Sequence, residues 1–177
     1  MTQTPSIERA IEFALTQHSG QTRKGSGLPY IVHPIEVTKR LSDLGVQDAE
    51  VLCAAALHDV LEDGSAGRDE IEREFGERVA RIVGELTFDE SVQSKAEYMA
   101  SFAERSVEAL VIKLIDRACN VDDYARGRPE YAPVYAGKAR ALFAAVGARS
   151  AEIVGAFGET AAGALWAEAT RLLGLAR

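Results

Sequence analysis

The chain has 177 residues, of which 47% are hydrophobic and 27% charged, and its formal net charge at pH 7 is −7. This length suits one domain with a substantial core, and the acidic balance excludes non-specific nucleic-acid binding through a basic face. No apolar run reaches the roughly 18 residues of a membrane span, and no secretory signal pattern is apparent near the N-terminus. Cys53 and Cys119 form no CxxC pair and are expected to be reduced, buried thiols of a cytoplasmic protein.

The hydrophobic pattern of the first half predicts consecutive helices. Thr4 and Pro5 have the residue types of a helix start, and apolar residues follow them with a 3.6-residue period. A basic, glycine-rich loop is predicted at residues 20–29. Pro34 then begins a helix that stops near Gly45. Asp48 is expected to cap the next helix, which is apolar on nearly every face as far as His58 and therefore central.

The second half is also predicted to be helical, which makes the expected fold class all-α. Short helices are expected at residues 69–75 and 77–86, followed by a polar stretch and a helix through residue 102. The β-branched segment at residues 106–121 could form a strand, but its polar residues favour a helix, with positions i, i+3, i+4 and i+7 occupied by Lys113, Asp116, Arg117 and Asn120. Two alanine-rich helices, at about residues 131–146 and 150–173, finish the chain. No repeat or long linker interrupts it, so one domain is expected over residues 1–177.

The most informative segment is His58-Asp59 followed by Glu62-Asp63. On a continuous helix His58 would share a face with Glu62, and Asp59 with Asp63. Such groups at the end of a buried helix are costly unless they are paired or bound to a metal. His58 could instead be a satisfied core histidine, and the acidic pair a solvated helix end. The pattern nevertheless predicts a metal site with acid–base groups beside it.

Two distant residues complete the predicted metal site: His33, before the helix of Pro34, and Asp116, on the polar stripe of the later helix. Imidazole and carboxylate ligands suit Mn²⁺, Fe²⁺ or Zn²⁺, and no thiolate is placed to form a structural zinc site. A metal held by His33, His58, Asp59 and Asp116 could activate water and neutralise a phosphoryl oxygen. Glu62 and Asp63 would then move the proton of the water or serve the leaving group.

Five segments in this order resemble the HD-domain phosphohydrolases, and in particular the hydrolase domain of the RelA/SpoT-type alarmone enzymes. They read HSGQTRK (18–24), PYIVHP (29–34), AALHDVLED (55–63), FGERVARIV (75–83) and VIKLIDRACN (111–120). The resemblance covers about residues 7–124, whereas the last third, with helices at 130–175, matches only as helical sequence. It implies an HD-domain helical bundle and a small member with the hydrolase activity alone.

The resemblance also implies a role for each matching residue. His33, His58, Asp59 and Asp116 would hold one metal, usually Mn²⁺ in this family, and Glu62 and Asp63 match the catalytic acidic pair. The residues implied to bind the nucleotide are Arg23 and Lys24 beside the guanine base, Asn120, and Lys113 and Arg117 near phosphate or in support of the site. The family reaction removes the 3′-pyrophosphate from guanosine tetra- or pentaphosphate, which ends a starvation signal.

Two alternatives stay open from the sequence. The first keeps the fold and the metal but takes another nucleotide, such as an NADPH-type 2′-phosphate or a nucleoside monophosphate. The second is a catalytically inactive module that binds the alarmone. Departures from the family pattern, Gly64 and Asp123, leave the preferred nucleotide open, and Tyr135 and Lys138 are candidate contacts in the last third. The expected partner is a small nucleotide, and the C-terminal helices could also pack against a second copy.

Overall fold

A computed structural model describes residues 6–176, and these residues are helical along most of their length. The helices are α1 (Ile7–Gln17), α2 (Val32–Asp43), α3 (Ala49–Leu57), α4 (Val60–Asp63), α5 (Arg68–Phe75), α6 (Glu77–Leu86), α7 (Lys95–Ser101), α8 (Val107–Gly127), α9 (Ala132–Gly137), α10 (Arg140–Ala148) and α11 (Ser150–Leu175). A 3₁₀ turn, Pro129–Tyr131, connects α8 to α9. Within residues 6–176 there is no strand, only an isolated antiparallel bridge between Thr22 and Pro29. The predicted all-α fold is confirmed.

Helices α3 and α8 form the centre of the bundle. Every residue from Val51 to Leu57 is buried, because α3 is apolar on all faces and α1, α2, α6 and α8 pack around it. A helix without a polar face has to be enclosed in this way. Helices α2, α6, α9, α10 and α11 surround α8. The two central helices therefore carry their apolar segments to positions where water is excluded.

Helix caps fix where several elements begin. Ser6 caps α1 through its hydroxyl, which accepts a hydrogen bond from the backbone N–H of Arg9; the predicted start at Thr4-Pro5 lies outside the described residues. The predicted cap at Asp48 is confirmed, because its carboxylate accepts from the N–H groups of Glu50 and Val51. Such caps satisfy N–H groups that have no partner inside the helix.

The β-branched segment after Ser106 is one long helix, as predicted. Ser106 caps α8, whose residues from Ala109 to Cys119 are all buried. This burial overrides the modest cost of β-branched residues in a helix, because packing contributes more than propensity. The same helix carries the charged side chains of Lys113, Asp116 and Arg117 into the interior.

Two predictions about the C-terminal helices need correction. The prediction of a single helix at residues 131–146 is wrong. The chain leaves helical geometry at Ala139 (φ −107°, ψ 15°), two residues after Gly137, which is a poor helix former. The last helix is present, but Gly158 (φ 81°, ψ 165°) interrupts it. In residues 6–176 no single helix is long and apolar enough to cross a membrane, although α10 and α11, bent by 77°, pass together by length and composition.

Candidate active site

The four predicted metal ligands meet in the interior. His33 lies in the first turn of α2, His58 and Asp59 follow the last residue of α3, and Asp116 lies in the middle of α8. The Nε2 atoms of the two histidines are 3.2 Å apart. Asp116 Oδ1 lies 3.1 Å from His33 Nε2, and Asp59 Oδ2 lies 3.2 Å from His58 Nε2. The fold therefore joins three helices at one cluster of nitrogen and oxygen atoms.

The chemistry of this cluster fits a divalent cation. His58 Nδ1 lies 2.8 Å from the carbonyl oxygen of Ala55 and donates to it in the neutral tautomer, which leaves the Nε2 lone pair facing the cluster. His33, His58 and Asp59 each offer a ligand atom, all within 4.8 Å of one another. Borderline divalent ions prefer such imidazole and carboxylate donors.

The electrostatics of the cluster also favour a cation. Burial lowers the pKa of His58, but the Asp59 and Asp116 carboxylates outweigh it and raise this pKa to about 10. For Asp116, burial acts to raise the pKa, yet the Lys113 ammonium, 2.8 Å away, and the two imidazoles hold it well below its usual range. Positive charge is therefore stabilised where the four side chains meet.

Tyr30 is a functional candidate that the sequence reasoning did not assign. Its hydroxyl donates to Asp59 Oδ2 at 2.6 Å and lies 3.4 Å from Asp63 Oδ2. Burial, reinforced by the Asp59 carboxylate, raises the pKa of Tyr30, so the phenol remains a donor. The only sequence signal for Tyr30 is its position three residues before His33 in the segment PYIVHP.

The acidic pair lies at the rim of the cluster, but not on the helix face expected for it. Helix α3 ends at Leu57 and α4 begins at Val60, so His58 and Glu62 do not share a continuous helical face. The break lets His58 turn into the core while Glu62 and Asp63 remain exposed. Glu62 Oε2 accepts from the backbone N–H of Phe88 at 3.1 Å. Partial burial raises the pKa of Glu62 more than this bond lowers it.

A cavity of about 950 Å³ opens in front of the acidic pair and is large enough for a nucleotide. Its wall contains all five residues that the resemblance implied for nucleotide binding, namely Arg23, Lys24, Asn120, Lys113 and Arg117. Tyr135 and Lys138, the candidates from the last third, line it too, together with Lys95, Tyr98, Tyr124 and Tyr131. The cavity thus combines cations with aromatic rings, although the chain as a whole is acidic.

The five residues predicted to contact the nucleotide differ in their exposure and in the contacts that their side chains already make. Lys24 is exposed, whereas Lys113 is buried against Asp116. The guanidinium of Arg117 lies 4.2 Å from the centre of the Tyr135 ring, in cation–π geometry. Asn120 donates from its amide to Asp116 Oδ1. Lys113 and Asn120 therefore support Asp116 directly, and Lys24 is the unhindered cation of the set.

Comparison with known proteins decides the family. A sequence model described as "HD domain" matches residues 10–153. The chain belongs to the HD-domain family. It is 39% identical over 126 residues to the human protein named guanosine-3′,5′-bis(diphosphate) 3′-pyrophosphohydrolase MESH1, an alignment that covers 68% of this chain and 70% of that one.

Two further comparisons cover different shares of the two molecules compared. A guanosine-3′,5′-bis(diphosphate) 3′-pyrophosphohydrolase of Aquifex aeolicus is 40% identical over 121 residues, which are 65% of this chain but 17% of that protein. A solved structure, described as a metazoan ortholog of SpoT that hydrolyzes ppGpp, is 28% identical and superposes with a TM-score of 0.77 over 98% of this chain and 99% of that one. The match to the solved structure covers the described fold almost from end to end.

Proposed function

We propose that this HD-family chain is a metal-dependent pyrophosphohydrolase that removes the 3′-pyrophosphate from guanosine tetra- or pentaphosphate. The observation that carries the proposal is the convergence of His33, His58, Asp59 and Asp116 beside an exposed acidic pair and a nucleotide-sized cavity. The activities named for the similar Aquifex aeolicus and human proteins and for the solved structure support the same reaction. The products would be pyrophosphate and GDP or GTP.

The metal in this proposal is one Mn²⁺ ion held by His33, His58, Asp59 and Asp116. Both cysteines are buried and lie outside the cavity wall, so the donors are nitrogen and oxygen atoms. That donor set is compatible with Mn²⁺. When bound, the ion would supply positive charge to a phosphoryl oxygen and lower the pKa of a water molecule.

The acidic pair would handle the protons of the reaction. Water forms a bond to the phosphorus next to the 3′ oxygen, the bond between that phosphorus and the 3′ oxygen breaks, and the 3′ oxygen gains a proton. Glu62 or Asp63 would accept the proton of the water or deliver one to the leaving oxygen. The raised pKa of Glu62 brings it closer to neutral pH, where an acid–base group works best.

The cations of the cavity would bind the phosphate groups of the substrate. The cavity wall contains four of these cations, Lys95, Lys113, Arg117 and Lys138. Lys113 forms an ion pair with Asp116. A local group of cations can attract an anionic substrate into a cleft of an otherwise acidic protein.

In this proposal residues 1–177 form one hydrolase domain, because the buried apolar residues described for the chain form one cluster that includes every long helix. A cytoplasmic location belongs to the same proposal, since both buried cysteines are free thiols.

The test is pyrophosphate release from guanosine tetraphosphate with Mn²⁺, comparing the unaltered chain with Asp59→Ala and Glu62→Ala. Asp69→Ala, an exposed carboxylate on α5, is the matched control. The proposal expects release by the unaltered chain and the control, and a loss of about 10²- to 10⁴-fold in Glu62→Ala. No release by folded, metal-loaded protein would refute it and favour another nucleotide or an alarmone-binding module without turnover.

A further inference from the structure

Asp123, which forms a buried ion pair with Arg23 in the cavity wall, has no part in the chemistry described so far. Arg23 Nη2 lies 3.5 Å from Asp123 Oδ2, and the two side chains are 6% and 8% exposed. Both residues line the cavity. Arg23 Nη2 has no hydrogen-bond partner, and none of the hydrogen bonds described for residues 6–176 ends on Asp123. A carboxylate that is almost buried and still lacks a donor is suited to a ligand that provides one.

The loop that carries Arg23 is fixed against α8. The backbone N–H of Arg23 donates to the carbonyl oxygen of Leu28 at 2.8 Å, and the carbonyl oxygen of Arg23 accepts from the N–H of Gly27 at 2.9 Å. At Gly25 a side chain would overlap Asp123, and at Gly127 it would overlap the carbonyl of Gly25. The two glycines thus permit a close approach of loop and helix. The ion pair therefore has a defined place in the wall before any ligand enters.

Helix α8 forms one side of the cavity, and its polar side chains line the wall in sequence along the helix. At helical spacing these are Lys113, then Asp116 and Arg117, then Asn120, and then Asp123. Asp123 is seven residues beyond Asp116, which corresponds to about 10 Å along the helix axis. The cations lie at the end near the metal cluster, and the carboxylate lies at the far end.

A second path, through Tyr30, connects the ion pair to the metal cluster. The guanidinium carbon of Arg23 lies 5.9 Å from the centre of the Tyr30 ring, and the hydroxyl of that ring reaches Asp59 at 2.6 Å. One tyrosine side chain therefore separates the ion pair from the metal cluster. This separation suits a nucleotide whose phosphoryl group lies at the cluster and whose base lies beside Arg23 and Asp123.

The charge of Asp123 restricts what can occupy the far end. A phosphate would be repelled by the carboxylate, whereas a neutral ring with two adjacent N–H donors would be bound by it. Guanine carries such donors at N1 and at its 2-amino group, while adenine has a bare acceptor nitrogen at N1. The flat guanidinium of Arg23 can stack on the same ring.

We propose that Asp123 accepts hydrogen bonds from N1–H and the 2-amino group of guanine, and that it makes the site prefer guanine over adenine nucleotides. The inference deepens the proposed function and rests on it. Hydrogen bonds to a charged acceptor are among the stronger ones in proteins. Sites built to bind such donors discriminate against analogues that lack them, because a buried acceptor is then left unpaired.

The test compares three substrates with Mn²⁺: the 3′,5′-bis(diphosphates) of guanosine, inosine and adenosine, where inosine lacks only the 2-amino group. The proteins are the unaltered chain, Asp123→Ala, Asp123→Asn, which keeps the side-chain volume, and Asp43→Asn as control. Asp43 carries the same charge on the exposed surface of α2. We expect kcat/KM to fall in the order guanosine, inosine, adenosine for the unaltered chain and the control. In Asp123→Ala the guanosine value should fall by roughly tenfold to a hundredfold, and the adenosine value should change little.

The inference is overturned if the unaltered chain uses guanosine and adenosine substrates equally well. It is also overturned if both Asp123 variants, folded by circular dichroism, lower kcat/KM by the same factor for all three bases, because Asp123 then only fixes the loop. If no substrate is hydrolysed, the proposed function fails, and calorimetric measurements of nucleotide binding then test the inference separately. Tighter binding of GDP than ADP that disappears in Asp123→Ala supports it, and equal binding refutes it.

Discussion

Replacing Tyr30 with phenylalanine should weaken metal binding without disturbing the fold. The substitution removes only the hydroxyl that donates to Asp59 Oδ2 at 2.6 Å, and the ring keeps its contacts with His18 and His33, whose ring centres lie 4.7 and 5.9 Å away. Partners that hydrogen-bond to metal ligands typically contribute about 10- to 100-fold in metal affinity. That range corresponds to about 1.4–2.8 kcal/mol, which agrees with about 1.5–3 kcal/mol for a hydrogen bond to a charged group.

Isothermal titration of Mn²⁺ into metal-free protein measures this effect directly. The matched control is Tyr131→Phe, because the hydroxyl of Tyr131, also in the cavity wall, accepts a hydrogen bond from Lys138 at 3.5 Å and none from a predicted metal ligand. We expect a larger dissociation constant for Mn²⁺ in Tyr30→Phe and an unchanged one in Tyr131→Phe. The melting temperatures of the two variants should be similar. Unaltered Mn²⁺ affinity in Tyr30→Phe would show that Asp59 needs no support from the phenol, and the reasoning would be refuted.

Three further predictions concern stability. Partial burial raises the pKa of Glu62, so its charged form is disfavoured in the folded state and lowers the stability as pH rises above the usual carboxyl range. Glu62→Gln should therefore raise the melting temperature at pH 7 but not at pH 4. An equal shift of the melting temperature at both pH values would contradict this. Asp48→Ala should lower the free energy of unfolding in urea at pH 7 by about 0.5–2 kcal/mol. Burial acts to raise the pKa of Asp48, but the hydrogen bonds that its carboxylate accepts, first among them that from Arg78, together outweigh it and the pKa is lowered, so this difference in free energy should shrink as pH falls through the carboxyl range. Leu57→Ala, at a fully buried position in α3, should cost about 2–5 kcal/mol, and a loss below this range in urea unfolding would mean that the surrounding helices close the cavity.

The family and the local structure could be predicted from the sequence because their signals are local. Periodicity and caps located most helices, and the spacing on the later helix predicted that Lys113, Asp116, Arg117 and Asn120 share one face, as they do on α8. The mistakes occurred at helix ends. The break after Leu57 depends on which backbone groups the rest of the fold can satisfy, and periodicity does not report this. The end of α9 had a local signal in Gly137, a poor helix former, but the apolar periodicity outweighed it in the prediction.

Residue types and their order determined which side chains are the candidates for the chemistry: two histidines and two carboxylates as possible metal ligands, with an acidic pair beside them. Only the tertiary structure decided how these groups meet. It brings His33 within 3.1 Å of Asp116, 83 positions further along the chain, and it directs the Tyr30 hydroxyl to Asp59. It also pairs Arg23 with Asp123, which the sequence marked only as a departure from the family pattern. Long-range contacts of this kind arise from the packing of whole helices, because the position of α2 and of the 20–29 loop relative to α8 is set by buried surfaces and not by local sequence.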